Sequence, residues 1–578
     1  MESWIIRDAI PEAVNKNLSM YPLFLRELLY ARGIETGDEA HIFLNPDYER
    51  DIHDPFKLLG MERAVERIWQ ALKQNERIVI YADYDADGIP GSVVMHDFLT
   101  RIGYENFEVY IPHRYDEGYG LNTPAIENFK KQGAGLIVTI DCGITNNAEV
   151  ARANELGIDV IVTDHHLPGK ELPKAYALVN PNQDGDTYPF PHLSGGGLAF
   201  KLVQGLIKKG VSSSDWQDGW EKWSLDVAGI STMSDMVPLR GENRALAFFG
   251  LRVLKKMRRA GLQKLFQKKR VRAHELTEDD VGFVITPHIN AASRMATPRD
   301  AFRLLSTNDM MDAMNIVRFL SEKNDERKRV VEDILKEVDD ILARGEPASL
   351  ISLGAHGWKP GVLGLAANRV MEKYKRPVCL WGGTGSGVVR GSCRSDGTVN
   401  IVDLMKKVPE EYFLDSGGHE YSGGFSAEKE NAEHLSGLFV SIYEELKEVG
   451  ARKETALVVD KKLSLDEVTW ETYDLVRSLA PFGIENRKPV FLFESVVIEK
   501  ALLFGKTKNH LKLIFQKKNG ELMEAIRFFS GLEVDGIARL EPGMALDVAA
   551  HLERDTFSGT PSLRLRILKL LPGKAEHV

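Results

Sequence analysis

The sequence predicts an α/β protein: a first large domain on a mostly parallel sheet, a second α/β domain and a small C-terminal β-barrel. Three observations support this. Between Ile78 and about Asn180, apolar runs alternate with amphipathic helical stretches, a pattern typical of parallel strands joined by right-handed crossovers. An uninterrupted helical pattern then covers 309–344. Short strand-like runs separated by turns fill the chain after about 453.

Length and composition are those of a soluble globular protein of several domains. At 578 residues the chain is too long for one core, and about three or four domains are expected. No apolar run approaches the ~18 residues of a membrane span, and no secretory signal is visible at the start. The three cysteines form no CxxC pair, which fits reduced thiols and a cytoplasmic location. The net charge of −10 does not by itself indicate a nucleic-acid binder.

The order of elements in the first domain follows from its periodicity. Four apolar runs predict buried strands: 78–82, 136–140, 160–163 and 176–179. Helical patterns precede, separate and follow them: residues 20–75, with Leu25, Leu28 and Leu29 at helical spacing, then Asn146–Leu156, Leu198–Lys208, Gly241–Lys256 and Thr277–Phe283. Strands that alternate with helices in this way are expected to form a parallel sheet.

The charged helical pattern at 309–344 has no proline or glycine before Gly345, so it predicts an arm between two lobes with a cleft between them. The turn signal Gly345-Glu346-Pro347 then opens a second alternating region, 348–450, which is rich in glycine. Beyond it, the runs VFLFESVVI, HLKLIFQ, MALDVAAHL and LRLRILKLL are typical of a small barrel such as an OB-fold.

Carboxylate and imidazole side chains follow three of the predicted strands. They are Asp83, Asp85 and Asp87 after the first run, Asp141 after the second, and Asp164, His165 and His166 after the third. Parallel sheets place their sites outside the carboxyl ends of the strands. Hard oxygen donors with a histidine suit Mn²⁺ or Mg²⁺ better than a thiolate-loving metal. The sequence therefore predicts a metal-dependent active site.

Other interpretations of these acidic residues fit less well. An EF-hand calcium loop needs an acidic twelfth residue and a preceding helix, but Val94 stands there and a strand-like run precedes the loop. A phosphatase of the aspartyl-phosphate type would not require the acidic residues after the other two strands. A single Asp at a strand end is usually a helix N-cap, but that role does not explain three such sites. Either Asp226 or Asp235, which lie further along the chain, could add a fourth acidic position to the metal site.

With these residues in view, the chain resembles the DHH phosphoesterase superfamily, whose triad is matched by Asp164-His165-His166. Within it, the chain is similar to the RecJ family of single-strand-specific 5′→3′ DNA exonucleases. The ordered motifs that carry the resemblance span some 450 residues: YADYDADG, VTIDCGITN, VTDHHLP, STMSDMVPL, PHINAASRM, GWKPGVLGLAANR, GSCRS, SGGHEYSGG and APFGIENRKPVF. The implied domains are a helical segment 1–50, a DHH catalytic domain 51–308, a connecting helix 309–345, a DHHA1 domain 346–452 and an OB-like domain 453–578.

The resemblance also implies roles for the acidic residues. Ligands for two ions of Mn²⁺ or Mg²⁺ would be Asp83, Asp85, Asp87, Asp141, His165 and Asp235, with Asp141 bridging both ions. Asp164 and His166 would orient ligands or touch the scissile phosphate.

Substrate contacts are implied in the same way. Arg114, Arg294, Ser392 and Arg394 match positions expected to hold the 5′ phosphate of the substrate, because an arginine fork donates two hydrogen bonds to phosphate oxygens. Gly417, Gly418 and His419 match a nucleic-acid-binding motif of the DHHA1 domain. Phe425, Phe482 and Phe491 are candidates for base stacking, although a core position suits each of them better.

The implied activity is the 5′→3′ degradation of single-stranded DNA to 5′-mononucleotides in DNA repair and recombination. The implied partners are a single-strand-binding protein and a helicase, with the enzyme a monomer. The alternatives are a DHH phosphodiesterase acting on short oligonucleotides or cyclic dinucleotides, which would not need the C-terminal barrel, and a scaffold that has lost its metals, which the retained acidic motifs disfavour.

Three positions depart from the pattern of the family. Pro90 stands where small or hydroxylated residues are common, Lys359 stands where histidine is frequent, and APFGIENRKP lacks the usual second glycine. None of these positions is a predicted metal ligand, so activity is expected to survive.

Overall fold

The computed structural model describes residues 4–211, 217–383, 385, 387–447, 456–505, 508–555 and 560–573. The predicted boundary between residues 452 and 453 lies outside the described residues.

The chain begins with a short strand and four helices. These are β1 (Trp4–Ile6), α1 (Glu12–Asn17), α2 (Leu23–Tyr30), α3 (Gly37–Leu44) and α4 (Tyr48–Asp51). Leu25, Leu28 and Leu29 of α2 are buried, as their spacing predicts. Their apolar partners are mostly residues of the C-terminal barrel, so the first helices share a core with the other end of the chain.

The first large domain contains a five-stranded sheet with the order β3-β2-β4-β5-β6, and every pair in it is parallel. Its strands are β2 (Arg77–Ala82), β3 (Phe107–Tyr110), β4 (Ala134–Ile140), β5 (Asp159–Thr163) and β6 (Ala177–Val179). The four predicted apolar runs are confirmed as strands. The sequence did not indicate β3, an edge strand whose four residues are all only partly buried.

Helices cover the sheet and extend the domain. They are α5 (Met61–Gln74), α6 (Gly88–Arg101), α7 (Thr123–Lys131), α8 (Asn147–Glu155), α9 (Gly195–Lys208), α10 (Leu225–Ser234), α11 (Gly241–Leu254), α12 (Ala260–Lys269), α13 (Glu278–Asp280), α14 (Thr286–Met295) and α15 (Pro298–Ser306). The helix predicted at Thr277–Phe283 is split between α13 and a π-helical turn at Val281–Ile285.

One long helix, α16 (Met310–Leu342), links the two lobes, and the predicted arm is confirmed. Its 33 residues correspond to about 50 Å. The apolar residues of its first half, such as Val317 and Leu320, pack on the first domain. Those of its second half, such as Val331 and Val338, pack on the second domain. The helix is therefore buried against both lobes and fixes how they face each other.

The second domain has a mixed sheet with the order β10-β11-β9-β8-β7, in which only β7 and β8 are parallel. Its elements are β7 (Ile351–Ala355), α17 (Pro360–Tyr374), β8 (Val378–Gly383), β9 (Val388–Arg394), α18 (Ile401–Lys406), β10 (Asp415–His419), β11 (Ser422–Glu428) and α19 (Ala432–Leu446).

The C-terminal part forms the predicted barrel. Its elements are β12 (Leu457–Val459), β13 (Lys461–Lys462), α20 (Trp470–Arg477), β14 (Phe491–Phe504), β15 (His510–Gln516), β16 (Leu522–Arg527), β17 (Ala545–Asp555) and β18 (Ser562–Pro572). Strands β14-β15-β16-β18-β17 are neighbours in this order, and β17 also pairs with β14, which closes the barrel. Among the described residues, no helix is both long and apolar enough to cross a bilayer.

Candidate metal centre and arginine pocket

The predicted acidic residues meet at one edge of the parallel sheet. The backbone ladder continues one residue beyond each strand: the N–H of Asp83 donates to the carbonyl of Ile140 (3.1 Å), and that of Asp141 to the carbonyl of Thr163 (3.0 Å). The N–H of Asp164 likewise lies 3.1 Å from the carbonyl of Val179. Because the strands are parallel and in register, their first side chains beyond the sheet lie side by side.

Three overlapping groups of side chains have ligand atoms within 4.8 Å of one another. The groups are Asp83, Asp85 and Asp141; Asp87, His165 and Asp235; and Asp141, His165 and His166. Asp141 and His165 each belong to two groups. This overlap is the arrangement in which one carboxylate can contact two neighbouring cations.

Four atoms of this cluster are buried without a hydrogen-bond partner among the described residues: Asp83 Oδ1, Asp141 Oδ1, His165 Nε2 and Asp235 Oδ2. His165 Nε2 lies 3.1 Å from Asp141 Oδ1 and 3.6 Å from Asp235 Oδ2, but these contacts lack hydrogen-bond geometry. A buried polar atom without a partner costs free energy. Carboxylate oxygens and an imidazole nitrogen left in this way fit a hard divalent cation.

The protonation of these carboxylates reflects the same crowding. Burial, and then the negative charge of Asp87, raises the pKa of Asp235 to about 9. Burial also raises the pKa of Asp83 and of Asp141 well above the usual value, and neighbouring aspartates add to the effect. A bound cation would offset both contributions, since it replaces water and neutralises the repulsion.

Asp85 and Asp87 are held by backbone donors. Asp85 Oδ1 accepts from the N–H groups of Asp87 (2.7 Å) and Gly88 (3.1 Å). Both oxygens of Asp87 accept from the start of α9, where the N–H groups of Gly195 and Gly196 lie at 2.7 and 2.8 Å. The positive end of the helix therefore stabilises the Asp87 carboxylate.

Asp164 has a supporting role in this geometry. Its Oδ1 accepts from the backbone N–H of His165 (2.8 Å) and contacts His166 Nδ1 (2.8 Å), and its Oδ2 accepts from the N–H of Ile144 (3.0 Å). Burial acts to raise the pKa of Asp164, yet the hydrogen bond from His166, the charge of His166 and the backbone hydrogen bonds together outweigh it and leave the pKa below its usual value. Both oxygens of Asp164 accept hydrogen bonds from the protein, and Oδ1 contacts the backbone of one histidine and the ring of the other.

Tyr119 was missed by the sequence reasoning. Its hydroxyl lies 3.1 Å from His166 Nδ1 and 3.2 Å from the carbonyl oxygen of Asp141. The only signal was its place in PHRYDEGYG, the segment that also supplies Arg114.

The structure decides between Asp226 and Asp235, the two candidates for the fourth acidic position of the metal site. Asp235 follows α10 and reaches the cluster. Asp226, at the other end of the same helix, is bound by Arg259 Nε at 2.7 Å. Arg259 also pairs with Asp97 at 2.8 Å, so this arginine is buried in an ion-pair network.

Arg114, Arg294 and Arg394 come together between the two lobes, and no ion pair joins them to a carboxylate within the described part of the chain. The guanidinium of Arg114 lies 4.8 Å from the ring centre of Tyr84, Arg294 Nη1 donates to the carbonyl of Gly361 (2.8 Å), and Arg394 Nη1 donates to Ser392 Oγ (3.0 Å). Burial lowers the pKa of Arg294 to about 10, and repulsion from Arg114 adds to this. An anion between these side chains would offset the repulsion.

The long helix adds an arginine that the sequence reasoning missed. Arg327 Nε is buried without a hydrogen-bond partner among the described residues, and its charge acts on Arg294. Within α16 it resembled any other charged residue on a solvated helix. Its distinguishing feature, that no acidic partner lies beside it among the residues the structure describes, becomes visible only in three dimensions.

The glycine-rich motif lies on the same face of the second sheet as Ser392 and Arg394. Ser392 is paired with Gly424, which in turn is paired with Gly417 on the next strand. Arg394 is paired with Ser422, which in turn is paired with His419. Paired residues in an antiparallel sheet point to the same side. A Cβ at Gly417 would meet nothing within 4 Å. A Cβ at Gly418 would approach the carbonyl oxygen of Ser422 to 2.4 Å. An exposed strip of bare backbone therefore runs beside Arg394.

The three departures from the family pattern have local consequences. Pro90 lies in the first turn of α6, where a missing N–H breaks no helical hydrogen bond. Lys359 Nζ lies 2.9 Å from Glu326 of the linking helix. In APFGIENRKP, Glu485 adopts a positive φ of 58°, a conformation that costs a residue with a side chain more than it costs glycine.

Models of three protein families match the chain. They are the DHH family, N-terminal domain (residues 77–228), the DHHA1 domain (348–445) and the RecJ OB domain (459–569). The Single-stranded-DNA-specific exonuclease RecJ of Bacillus subtilis is 32% identical over 96% of this chain and 69% of its own length. The protein of the same name from Haemophilus influenzae is 30% identical over 98% of this chain and 99% of its own length.

Solved structures agree. The crystal structure of RecJ in complex with Mn²⁺ from Thermus thermophilus has a TM-score of 0.79 and 26% identity, covering 99% of this chain and 80% of that one. A crystal structure of exonuclease RecJ bound to manganese is 32% identical and has a TM-score of 0.60. The match covers 68% of this chain and 98% of that one.

The fold and the site define a DHH-type protein in which a DHHA1 domain and an OB barrel follow the catalytic sheet, and the predicted fold class is confirmed. More narrowly, the chain belongs to the RecJ family.

Proposed function

We propose that this chain is a metal-dependent exonuclease that degrades single-stranded DNA in the 5′→3′ direction to 5′-mononucleotides. The observation that carries the proposal concerns the described residues: buried carboxylate and imidazole atoms without hydrogen-bond partners form a cluster, and arginines without ion pairs form a separate pocket. The first supports phosphodiester hydrolysis, and the second supports recognition of a strand end. Relatives named as single-stranded-DNA-specific exonucleases support the choice of substrate.

The residues proposed to hold two ions of Mn²⁺ or Mg²⁺ are Asp83, Asp85, Asp87, Asp141, His165 and Asp235. When bound, such ions activate a water molecule and neutralise charge that develops on the phosphate. Related solved structures hold Mn²⁺ in two cases and Mg²⁺ in another, which supports both metals. Asp164 keeps the two histidines oriented, and His166 faces the reacting phosphate.

The arginine pocket sets the 5′→3′ direction of degradation. Arg114, Arg294 and Arg394, with Ser392, bind the terminal 5′ phosphate and so place the first phosphodiester bond at the metal ligands. The bare backbone at Gly417 and Gly418, next to His419, binds the phosphates of the following nucleotides. The linked lobes form a cleft too narrow for duplex, and the barrel binds the incoming single strand.

We further propose that the enzyme acts in DNA repair and recombination in the cytoplasm, as a monomer, with a single-strand-binding protein and a helicase as partners. The division into segments 1–50, 51–308, 309–345, 346–452 and 453–578 belongs to the same proposal.

A strand labelled at either end tests the activity. With Mn²⁺ or Mg²⁺, a 5′-phosphorylated single strand should release labelled mononucleotides first from its 5′ end. Cleavage of very short oligomers or cyclic dinucleotides alone would favour a DHH phosphodiesterase. No cleavage with either metal would contradict an enzymatic role.

Asp141→Ala should abolish hydrolysis while single-strand binding largely persists, because Asp141 belongs to two of the three ligand groups. Calorimetry should show weaker Mn²⁺ binding by the variant. Full activity in the variant would contradict the bridging role.

Arg294→Ala should slow degradation of 5′-phosphorylated strands more than that of 5′-hydroxyl strands, because the lost guanidinium contacts the terminal phosphate. The matched control is Arg299→Ala, which removes an exposed arginine five residues away. Initial rates on the two substrates give the comparison. An equal decrease of the rate on both substrates would mean that Arg294 contacts internal phosphates instead.

A further inference from the structure

Four aromatic side chains form a cluster on the barrel, at neighbouring ends of β14, β15 and β16. The ring of His510 lies at its centre, 5.1 Å from the ring of Phe528, 5.1 Å from that of Phe529 and 5.2 Å from that of Phe504. Nothing in the sequence pattern had singled these residues out. By contrast, Phe425 and Phe491, considered earlier for stacking, are buried in cores, and Phe482 is half-buried against the barrel core.

Phe529 is the unusual member of this cluster. Its side chain is 73% exposed, and its backbone has a φ of 53°, in the left-handed region that residues with side chains avoid. The N–H of Phe529 donates to His510 Nδ1 at 3.1 Å and helps to hold this conformation. A strained backbone that presents an exposed aromatic ring is typical of a binding site rather than of a core.

Cations surround the rings. The guanidinium of Arg566 lies 3.9 Å from the ring centre of Phe528, and that of Arg369 lies 6.0 Å from the ring centre of Phe529. Arg369 comes from α17 of the second domain, so two domains contribute to the cluster. Exposed rings beside cations complement a polymer of flat bases and anionic phosphates, which is single-stranded nucleic acid.

A chain of arginines connects this cluster with the pocket. The charge of Arg369 acts on Arg327 of the linking helix, and the charge of Arg327 acts on Arg294 in the pocket. Along α17, Arg369 lies five residues after Gly364, where a Cβ would come within 2.7 Å of Arg394 Nη2. Five residues of helix correspond to about 8 Å. The barrel cluster is therefore linked to the pocket by positive charge.

We propose that Phe529, with His510 and Phe528, stacks a base of the substrate strand, and that Arg369 and Arg327 bind its phosphates between the barrel and the pocket. This inference rests on the proposed exonuclease function and adds a distinct contact to it. The strand then crosses from the barrel to the second domain at Phe529 before its 5′ end reaches the arginine pocket.

Phe529→Ala tests the stacking contact. Binding of a strand of about 20 nucleotides, measured with a fluorescent label in EDTA, should weaken about 5- to 100-fold, the range expected for loss of one stacked base. In steady-state assays with Mn²⁺ the loss should appear in KM rather than kcat. Phe529→Trp should restore binding. Leu522→Ala, which truncates another exposed apolar side chain of the same barrel, should bind like the wild type.

A fluorescent base locates the contact. 2-Aminopurine is placed at each position of the strand in turn. At one position its fluorescence should be quenched by wild-type protein but not by the Phe529→Ala variant. Quenching that is the same in both proteins at every position would overturn the proposal.

Arg369→Ala tests the phosphate contact. The slope of log Kd against log salt should fall by about one, as expected for one phosphate contact. Arg318→Ala, at an exposed arginine of the linking helix, should leave the slope unchanged. Wild-type degradation of single strands combined with unaltered affinity in Phe529→Ala and Arg369→Ala would overturn this inference alone. Wild-type protein that degrades no strand would contradict the proposed function itself.

Discussion

Asp141 and Asp164 both follow a strand of one parallel sheet, yet their surroundings favour opposite protonation. Asp164 receives hydrogen bonds on both oxygens, which keep its pKa below the usual value although burial opposes this. Asp141 is buried among other carboxylates, and its pKa is raised. A place directly after a strand therefore brings a carboxylate to the site. The hydrogen-bond donors around that carboxylate then decide whether it orients a neighbouring side chain or is left for a cation.

A buried histidine allows a pH test away from the metal ligands. His288 is 2% exposed, its Nδ1 lies 2.6 Å from the carbonyl oxygen of Val284, and burial lowers its pKa to about 4. The unfolded chain takes up this proton near pH 6.5 and the folded chain near pH 4. The stability that neutral His288 contributes is therefore complete above about pH 6.5 and is lost as the pH falls towards 4, by up to about 3 kcal/mol.

We expect His288→Gln to reduce the loss of stability between pH 7 and pH 4.5. Urea unfolding at the two pH values, followed by circular dichroism, gives the comparison. The exposed His434→Gln is the control and should lose as much stability as the wild type. An identical pH dependence in His288→Gln and wild type would show that His288 does not contribute.

At the scale of the elements, the start of α9 shapes the metal site. Its first two N–H groups bind the Asp87 carboxylate, and its first residue lies against Asp141. The glycines at the start of α9 lie just before the predicted helix, which began at Leu198. Their function follows from contact with two strand ends that lie 54 and 108 residues earlier in the chain.

Gly195→Ala should damage the site because a Cβ there would lie 2.5 Å from Asp141 Cβ. Either the helix or the carboxylate must move, and a displacement of about 1 Å at reacting groups costs about 100-fold in rate. Hydrolysis rates and Mn²⁺ affinity by calorimetry measure the effect. Gly437→Ala, in a helix of the second domain where a Cβ meets nothing within 4 Å, is the matched control. Unchanged metal affinity in Gly195→Ala would contradict this account.

At the scale of the whole molecule, the two ends of the chain meet. Strand β1 pairs in parallel with β12, and the first helices share a core with the barrel. Buried Arg244 of α11 joins both ends to the catalytic domain: it donates to the carbonyls of Phe43 (2.9 Å), Leu479 (2.9 Å) and Ala480 (3.0 Å). Barrel, first helices and catalytic sheet are therefore held in one arrangement.

Arg244→Met should destabilise the protein by about 3–5 kcal/mol, because it leaves several buried carbonyl groups without donors. Thermal unfolding measures the loss, and limited proteolysis should cut the first helices sooner than in the wild type. Arg240→Met removes an exposed arginine just before the same helix and should have little effect. Equal proteolysis of the Arg244→Met variant and wild type would show that this arginine does not hold the chain ends.

Much of the fold could be predicted because its signals are local. Apolar runs of strand length alternating with helices define the parallel sheet, and the carboxylates directly after those runs must lie at its carboxyl edge. The unbroken helical pattern of 309–344 likewise predicted the linking helix. The edge strand β3 was missed although three of its four residues are apolar or aromatic, because the run is only four residues long and is interrupted by Glu108.

The sequence by itself determined the α/β class, the barrel, the family and the side chains gathered at the strand ends. Only the tertiary structure decided between Asp235 and Asp226 and showed that both oxygens of Asp164 accept hydrogen bonds. It also showed that Arg327 and Arg369 lie between Phe529 and the pocket. The physical reason is that strand and helix periodicity are set by near neighbours. Whether a charge or ring has a partner is set by residues distant in the sequence, such as Arg259 for Asp226 or Arg369 for Phe529.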